Sequence, residues 1–484
     1  MKKLTDILKN TPVREVCGDT AAAIGGLVYD SRAVKPGDCF FAVPGTQSDG
    51  HDYIPMAVEK GAAAIVCERM PADAAEGVAY VLVGDSAGAM ADMAAAFYDY
   101  PSRELKLVGI TGTNGKTTTA KLLYELVRAM GYKAGLISTV VYKIDGREVE
   151  ATHTTPDSIR LNAMMREMAD AGCAYCFMEC SSHAIVQERT RGLDFAGGIF
   201  SNITHDHLDY HKTFAEYIRA KKLFFDGLPK GAFALTNADD RNGRVMVQNT
   251  AAAVSAYSLR AMADFRCKIV EMHLDGMLLR IDGQELWVGL LGRFNAYNLL
   301  AVYGAAALLG LDRGEVLRVL SMLHAVSGRF EKIRAANGTT AIVDYAHTPD
   351  ALENVIQTIE EIRTPGQQLI VVCGCGGDRD RTKRPEMAAI AVKYATTAGF
   401  TSDNPRHESP EAILDDMVAG LEPGARYLRI ADRAEAIRTA VMLSRPGDII
   451  LVAGKGHETY QIVGDVKHPF DDREEIKKRF ALLN

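Results

Sequence analysis

The sequence predicts an α/β protein built from three domains, and three observations carry that prediction. The chain of 484 residues is too long for one core of ordinary size. From Lys106, a strand, a glycine loop and a helix follow one another in "KLVGITGTNGKTTTAKLLYELVRAMG", which opens a unit with a buried parallel sheet. Beyond Gly328, strand and helix patterns alternate repeatedly, the mark of a Rossmann-like doubly wound sheet. The expected boundaries are 1–100, 101–327 and 328–484.

Each block justifies its elements in turn. Short β-rich runs ("GLVYDSR", "CFFAVPG", "AAAIVCE", "AYVLVGD") fill the first, which ends in an Ala-rich helical stretch from Ser86 to Tyr100 that Pro101 breaks. In the second, strands are expected at Tyr175–Met178, Gly198–Ser201 and Phe233–Thr236, and helices near 213–227 and 295–310. The third repeats its unit at "TTAIVDYAHTPDALENVIQTI", "QQLIVVCGCGGDRD", "YATTAGFTSDNPR" and "DIILVAGKGHETY". Its distinctive polar residues fall just after the strands, where open α/β sheets bind ligands.

Composition narrows the function classes. With 48% hydrophobic and 24% charged residues the chain reads as an ordinary soluble globular protein. A net charge of −7 without a basic block argues against a nucleic-acid surface, so an anionic substrate needs locally placed Arg and Lys. "MKKLTDILKN" turns polar before any signal-peptide core, and no apolar run reaches membrane-spanning length. A cytoplasmic monomer with no membrane partner is expected. Nine scattered cysteines, an odd number, fit reduced thiols better than a disulfide framework. Cys173, Cys176 and Cys180 have metal-like spacing, but "CAYCFMEC" reads as a buried strand. Cys373 and Cys375 end another strand, where a tight turn needs small residues.

"GITGTNGKTTTAKLL" carries the clearest chemistry. Gly112 and Gly115 let backbone amides approach phosphate, the helix N-terminus favours negative charge, Lys116 can reach the β/γ phosphates, and Thr117 can ligate magnesium. The strict phosphate-loop pattern asks for glycine at position 110, which is Ile110; glycine stands one residue early, at Gly109. The "GKT" core still predicts nucleotide binding, with Thr113, Asn114 and Thr118 in the same loop. GTPases and transport ATPases share this loop, so it identifies the fuel and leaves the reaction open.

That loop is followed in order by "MECSSHAIVQERTRGL", "SNITHDHLDYH", "GRFNAYNLLAV", "SGRFE", "VDYAHTPDAL", "GCGGDRDRTKRP", "DNPR" and "AGKGHETYQ". The ordered set resembles the ATP-dependent Mur ligases of peptidoglycan synthesis, in particular those that add the third amino acid of the peptide. The resemblance spans all three blocks. It implies that a carboxylate of UDP-N-acetylmuramoyl-L-alanyl-D-glutamate attacks ATP to give an acyl phosphate, which the amine of an amino acid then opens. A carboxylate approaching a polyanion requires cations to offset repulsion.

By the same resemblance, Glu179, His207 and Lys221 join Thr117 as magnesium ligands, and Lys116, Glu179, His207 and Lys221 form the catalytic set. From spacing alone, His205, His207 and His211 also admit a zinc reading. Lys221 matches a lysine that is carbamylated in the family, with Lys222 its neighbour in register. A carbamate would turn a cation beside magnesium into an anion able to hold it. Asn295, Arg329, Asp344 and His347 match ATP contacts. Ser31, Thr46, Gln47 and Ser48 match loops that hold uridine diphosphate, and Thr154, Thr155, Ser181, Gln187 and Arg189 match contacts to the muramoyl peptide.

Arg379, Asp403, Asn404, Pro405, Arg406, Gly454 and Glu458 follow strands of the last block, so they converge on one sheet edge. In the family "DNPR" marks enzymes that add meso-2,6-diaminopimelate. The Arg406 fork suits the distal carboxylate that lysine lacks. Nothing is attached to the next residues, "HESP". Two other readings remain: another carboxylate–amine ligase of the same superfamily, such as a folylpolyglutamate synthetase or a neighbouring Mur ligase, and a P-loop NTPase that hydrolyses without ligating.

Overall fold

The computed structural model describes residues 1–45, 48–151, 153–204 and 208–483. Among the described residues, three large sheets, besides two of two strands, give the three-domain α/β architecture expected from the sequence.

The N-terminal sheet runs Val13–Cys17, Ala79–Val83, Ala64–Cys67, Cys39–Phe41, Leu27–Val28, parallel except for its first strand. The helix Ser86–Phe97 covers it, with the Asp85 carboxylate accepting from Gly88 N at 3.0 Å as its cap. This helix stops before the expected Tyr100. Tyr100 precedes a proline, which disfavours the α conformation, and both Asp99 and Tyr100 turn to positive φ.

Among the described residues the central sheet has eleven strands, with Lys106–Thr111 between Tyr175–Glu179 and Gly197–Phe200. Its inner strands are parallel, and Ala134–Ile137, Tyr175–Glu179, Gly197–Phe200 and Phe233–Asn237 are fully buried, as helices on both faces require. Two antiparallel extensions lie outside the sequence expectation: a hairpin of Val141–Ile144 with Arg147–Glu150, and a meander over Phe265–His273, Gly276–Ile281 and Gln284–Val288.

The C-terminal sheet is ordered Glu331–Arg334, Thr340–Asp344, Ile449–Ala453, Leu369–Cys373, Thr397–Phe400, Tyr427–Arg429. Its strands are parallel apart from the edge strand Glu331–Arg334. One apolar cluster continues from Val108 and Leu299 in the central domain to Phe330, Leu352 and Leu451 in the C-terminal one. Lys332 Nζ also donates to Leu274 O at 3.0 Å, across the same junction. This contact brings the carboxyl-end loops of both sheets to one cleft. No described helix is long and apolar enough to cross a membrane.

Candidate active site

The phosphate loop joins the strand Lys106–Thr111 to the helix Lys116–Ala129. Both of its glycines are required. A Cβ on Gly112 would lie 2.0 Å from Ser201 Oγ, and one on Gly115 2.4 Å from Asn298 Oδ1. Ser201 Oγ donates to Asn114 O at 2.7 Å, and Thr113 Oγ1 accepts from Thr204 N at 3.0 Å, so the neighbouring strand end fixes the loop. Lys116 Nζ donates to Gly112 O (2.9 Å) and Thr113 O (2.7 Å), curled over the space that the loop encloses. Gly109 is not part of this cradle. It lies in mid-strand, where a Cβ would strike Phe224 at 2.5 Å and Cys180 Sγ at 2.9 Å.

A cavity of about 290 Å³ opens between the central and C-terminal domains, near the lower end of the size range for small-molecule sites. Asn114, Gly115 and Thr118 line it from the loop, Asp239, Tyr297 and Asn298 from the central domain, and Arg329, Asp344 and Asp350 from across the junction. Arg329 Nη2 donates to Thr117 Oγ1 at 3.4 Å while its guanidinium lies 4.7 Å over the Tyr345 ring. Burial pushes the Asp344 carboxyl up, opposed by Arg329 and by the amides of Phe330 and Ala346 that it accepts. Asn295 and His347 are not among the lining residues. Asn295 donates to Leu291 O at 2.7 Å and accepts from Asn298, and His347 Nδ1 lies 2.8 Å from Tyr345 O.

On the other side of the loop, Glu179 is buried at the end of its strand. Its carboxylate accepts from Thr139 N at 2.7 Å and from Thr139 Oγ1 at 3.2 Å. Lys221 is buried on the helix Phe214–Asp226 and donates to Gly112 O at 2.7 Å, 4.6 Å over the Tyr217 ring. Lys222 is partly exposed and pairs with Asp226, so the two lysines have different surroundings. The hydroxyl of Thr117 and the carboxylate of Glu179 are hard oxygen donors of the kind magnesium takes. An unmodified Lys221 ammonium fits beside such an ion less well than its carbamate would. His205 and His207 lie outside the described residues, as do Thr46 and Gln47. His211 is held by Ser182 Oγ at 2.8 Å. Among the described residues, no group of three or more His, Cys, Asp or Glu is placed to hold a metal. Cys173, Cys176, Cys180, Cys373 and Cys375 are buried, unbridged thiols in or beside strands.

Thr155 ties the muramoyl-contact candidates to Glu179. Its hydroxyl donates to Glu179 O at 2.6 Å and accepts from Ser181 N at 3.3 Å, and its carbonyl accepts from Arg189 Nη1 at 2.6 Å. Arg189 also grips Gln187 Oε1, and Thr154 accepts from Thr139 Oγ1 at 3.1 Å. Arg189 lies close enough to Tyr29 of the N-terminal domain to act on its hydroxyl electrostatically. Ser31 is buried in the short turn after Asp30, while Ser48 is exposed and its carbonyl accepts from Gly45 N.

The last cluster forms as the sheet-edge argument requires. Asn404 Nδ2 donates to Glu458 Oε2 at 2.9 Å, and Lys455 Nζ donates to Asn404 Oδ1 at 3.1 Å and to Glu458 Oε2 at 2.9 Å. Gly454 has φ +114, and a Cβ there would meet Asp403 Oδ2 at 2.8 Å. Pro405 is buried, and its carbonyl lies 1.9 Å from where a Cβ on Gly377 would stand. Arg406 has φ +51 and gives Nη1 to Gly377 O at 2.8 Å. Burial and the neighbouring Arg379 charge both lower its pKa. Arg379 is exposed and Arg406 half-buried, and with the Asp403 and Glu458 charges also acting on Arg406 the cluster suits a ligand that is anionic at one end and cationic near the other. Tyr345 connects the clusters: Arg329 stacks on it beside Thr117, and its hydroxyl lies 3.5 Å from Glu458 Oε1.

Sequence reasoning passed over several residues here. Asp350 accepts from Asn114 Nδ2 at 2.9 Å across the junction. Lys455 is fully buried inside the cluster. The fully buried pair Arg433–Asp472 braces the strand ends, with Arg433 Nη2 donating to Ala453 O at 3.0 Å. "HESP" is not inert either, since Glu408 ties the "DNPR" loop to the "GGDRD" loop. "AGKGHE" was the one available signal, because its lysine lies between two loop residues already singled out.

Comparison with known proteins agrees with this layout. Residues 23–98 match the model described as Mur ligase family, catalytic domain; residues 110–306 match the Mur ligase middle domain; residues 328–456 match the Mur ligase, glutamate ligase domain. A UDP-N-acetylmuramoyl-L-alanyl-D-glutamate--2,6-diaminopimelate ligase of Phocaeicola vulgatus is 55% identical over 481 residues, covering 99% of each chain. One of the same description from Bacteroides fragilis is 55% identical over 482 residues, again covering 99% of each. A solved structure of a ligase so described superposes with a TM-score of 0.71 at 31% identity, covering 100% of this chain and 99% of that one. With all three domains matched in order and half the residues identical end to end, the chain belongs to the Mur ligase family.

Proposed function

We propose that this chain is an ATP-dependent ligase that joins meso-2,6-diaminopimelate to UDP-N-acetylmuramoyl-L-alanyl-D-glutamate in peptidoglycan precursor synthesis. The observation that carries the reading is the run of contacts from the phosphate loop through Arg329 and Tyr345 to Glu458, and from Glu458 to Asn404 in the loop that carries Arg406. It supports the reading of an ATP site beside a site for a dicarboxylate that bears an amine.

In this reading a carboxylate oxygen of the bound dipeptide bonds to the γ-phosphorus of ATP, and the bridging oxygen leaves with ADP. The amine of diaminopimelate then attacks the acyl carbon, phosphate departs with its electron pair, and the amine gives up a proton. The Gly112, Thr113, Asn114, Gly115 loop, held by Asn202 through the Thr113 and Asn114 amides (2.8 and 2.9 Å), cradles the phosphates with Lys116 and Thr118, and Arg329 reaches them from the C-terminal side. Asp344 completes the ATP contacts, with Asn295 behind Asn298 and His347 beside Tyr345 supporting them from outside the cavity lining. Thr117, Glu179, His207 and carbamylated Lys221 would hold Mg2+, which offsets phosphate charge when bound. Ser31, Thr46, Gln47 and Ser48 take the uridine diphosphate, and Thr154, Thr155, Ser181, Gln187 and Arg189 the muramoyl peptide. Arg379 and Arg406 clasp the distal carboxylate, Asn404 and Glu458 receive the nearby ammonium, and Asp403, Pro405 and Gly454 shape the wall. The domains divide at 1–100, 101–327 and 328–484, and the enzyme acts in the cytoplasm as a monomer without nucleic-acid or membrane partners.

Phosphate release tests the reading. It should require ATP, the UDP-muramoyl dipeptide and diaminopimelate together. Release with nucleotide alone, indifferent to the other two, would mark a hydrolase instead.

A further inference from the structure

We propose that Arg384 and Glu408 are positioning residues for amino-acid selection, a clamp that sets the spacing of Arg379 and Arg406 to fit a dicarboxylate; this rests on reading those two arginines as the carboxylate clasp. Arg384 is fully buried, on the helix Lys383–Tyr394. Its Nη2 donates to Glu408 Oε1 at 2.8 Å and to Gly376 O at 3.2 Å, and its Nη1 to Glu408 Oε2 at 3.0 Å. Glu408 Oε1 also accepts from Asp378 N at 2.6 Å, and Oε2 from Arg381 Nη2 at 2.9 Å. One carboxylate thus holds the loop that carries Arg379 and, two residues along its own chain, the loop that carries Arg406.

The loops need such a device. Asp378 and Arg406 both sit at positive φ (53° and 51°), a conformation that non-glycine residues adopt at a cost. The two guanidiniums repel each other, and no covalent link joins the segments. A bidentate, buried Arg–carboxylate pair is the strongest fixed-geometry contact side chains offer. Arg384 Nη1 also donates to Asp416 Oδ2 at 2.7 Å, so the buried cation faces two carboxylates, while its buried Nε has no hydrogen-bond partner.

The test uses the full-length enzyme with Glu408→Gln, Glu408→Asp and Arg406→Ala. Glu408→Gln keeps the shape but removes an acceptor and the charge. It should raise KM for diaminopimelate at least about tenfold and erode the preference over lysine with KM for ATP unchanged, alongside the fall in thermal midpoint that loss of a buried charge partner brings. Glu408→Asp should recover part of the loss. A proportional rise in both KM values with a lowered midpoint would reduce Glu408 to a fold-stabilising residue and overturn the inference, as would an unchanged diaminopimelate KM. If Arg406→Ala raises that KM while Glu408→Gln does not, the clamp alone fails. If Arg406→Ala also leaves it unchanged, the clasp reading beneath it fails too.

Discussion

Truncating Arg406 to alanine tests the proposed recognition of the incoming amino acid. The guanidinium is half-buried and commits Nη1 to Gly377 O at 2.8 Å, which leaves Nε and Nη2 as the edge of the fork offered to a carboxylate. Hydrogen bonds to a charged group contribute about 1.5 to 3 kcal/mol each. Allowing for solvent at a half-exposed site, the pair contributes about 2 to 4 kcal/mol, a loss of about thirtyfold to a thousandfold in kcat/KM for diaminopimelate. Arg406→Lys should fall in the same direction by less, because an ammonium cannot pair bidentately. The assay is steady-state phosphate release with diaminopimelate varied at saturating ATP and dipeptide, followed by an ATP titration. ATP binding should survive, since Arg406 is not among the residues lining the cavity at the phosphate loop. Equal losses for ATP and diaminopimelate would refute this assignment.

Other perturbations address the machinery around it. Burial, reinforced by Arg329, Arg473, Lys455 and His347, lowers His457 to about 3. Its folded pKa is therefore below the ordinary unfolded value near 6.5, so its contribution to stability is present above about pH 6.5 and is lost as pH falls toward about 3. Denaturant unfolding should show a loss of order 3 kcal/mol by about pH 4 that His457→Asn flattens. Removing one partner of the buried pair, as in Asp472→Ala, should cost about 3 to 5 kcal/mol in denaturant unfolding, whereas Arg433→Leu with Asp472→Leu should cost much less. Wild-type enzyme incubated with isotope-labelled bicarbonate should give a carbamate signal in NMR that Lys221→Met abolishes along with activity; a signal that survives the substitution would place the modification elsewhere.

The parts legible in the sequence were local ones. Strands such as Tyr175–Glu179 and Leu369–Cys373 announce themselves as apolar runs, and the phosphate loop by glycines and a lysine at fixed spacing. The antiparallel meander at Phe265–Val288 was missed because cross-strand pairing is set by neighbours that the pattern alone does not name. Gly109 was read as a displaced loop glycine, yet it makes room for Phe224 on the helix that carries Lys221, a contact between segments more than a hundred residues apart. Glu408 and Asp350 were illegible for the same reason, and Lys455 was marked only by its place between Gly454 and Glu458. Each is an ordinary charged residue until the fold places Arg384, Asn404 or Asn114 against it.

The central claim concerns what this enzyme adds. An amino-acid panel of meso-diaminopimelate, L-lysine and L-ornithine, each with ATP and the UDP-muramoyl dipeptide, tests it directly. The account predicts ligated product and phosphate release with meso-diaminopimelate, and at least about a hundredfold lower kcat/KM for the two acids without a distal carboxylate. Comparable rates with lysine would contradict it.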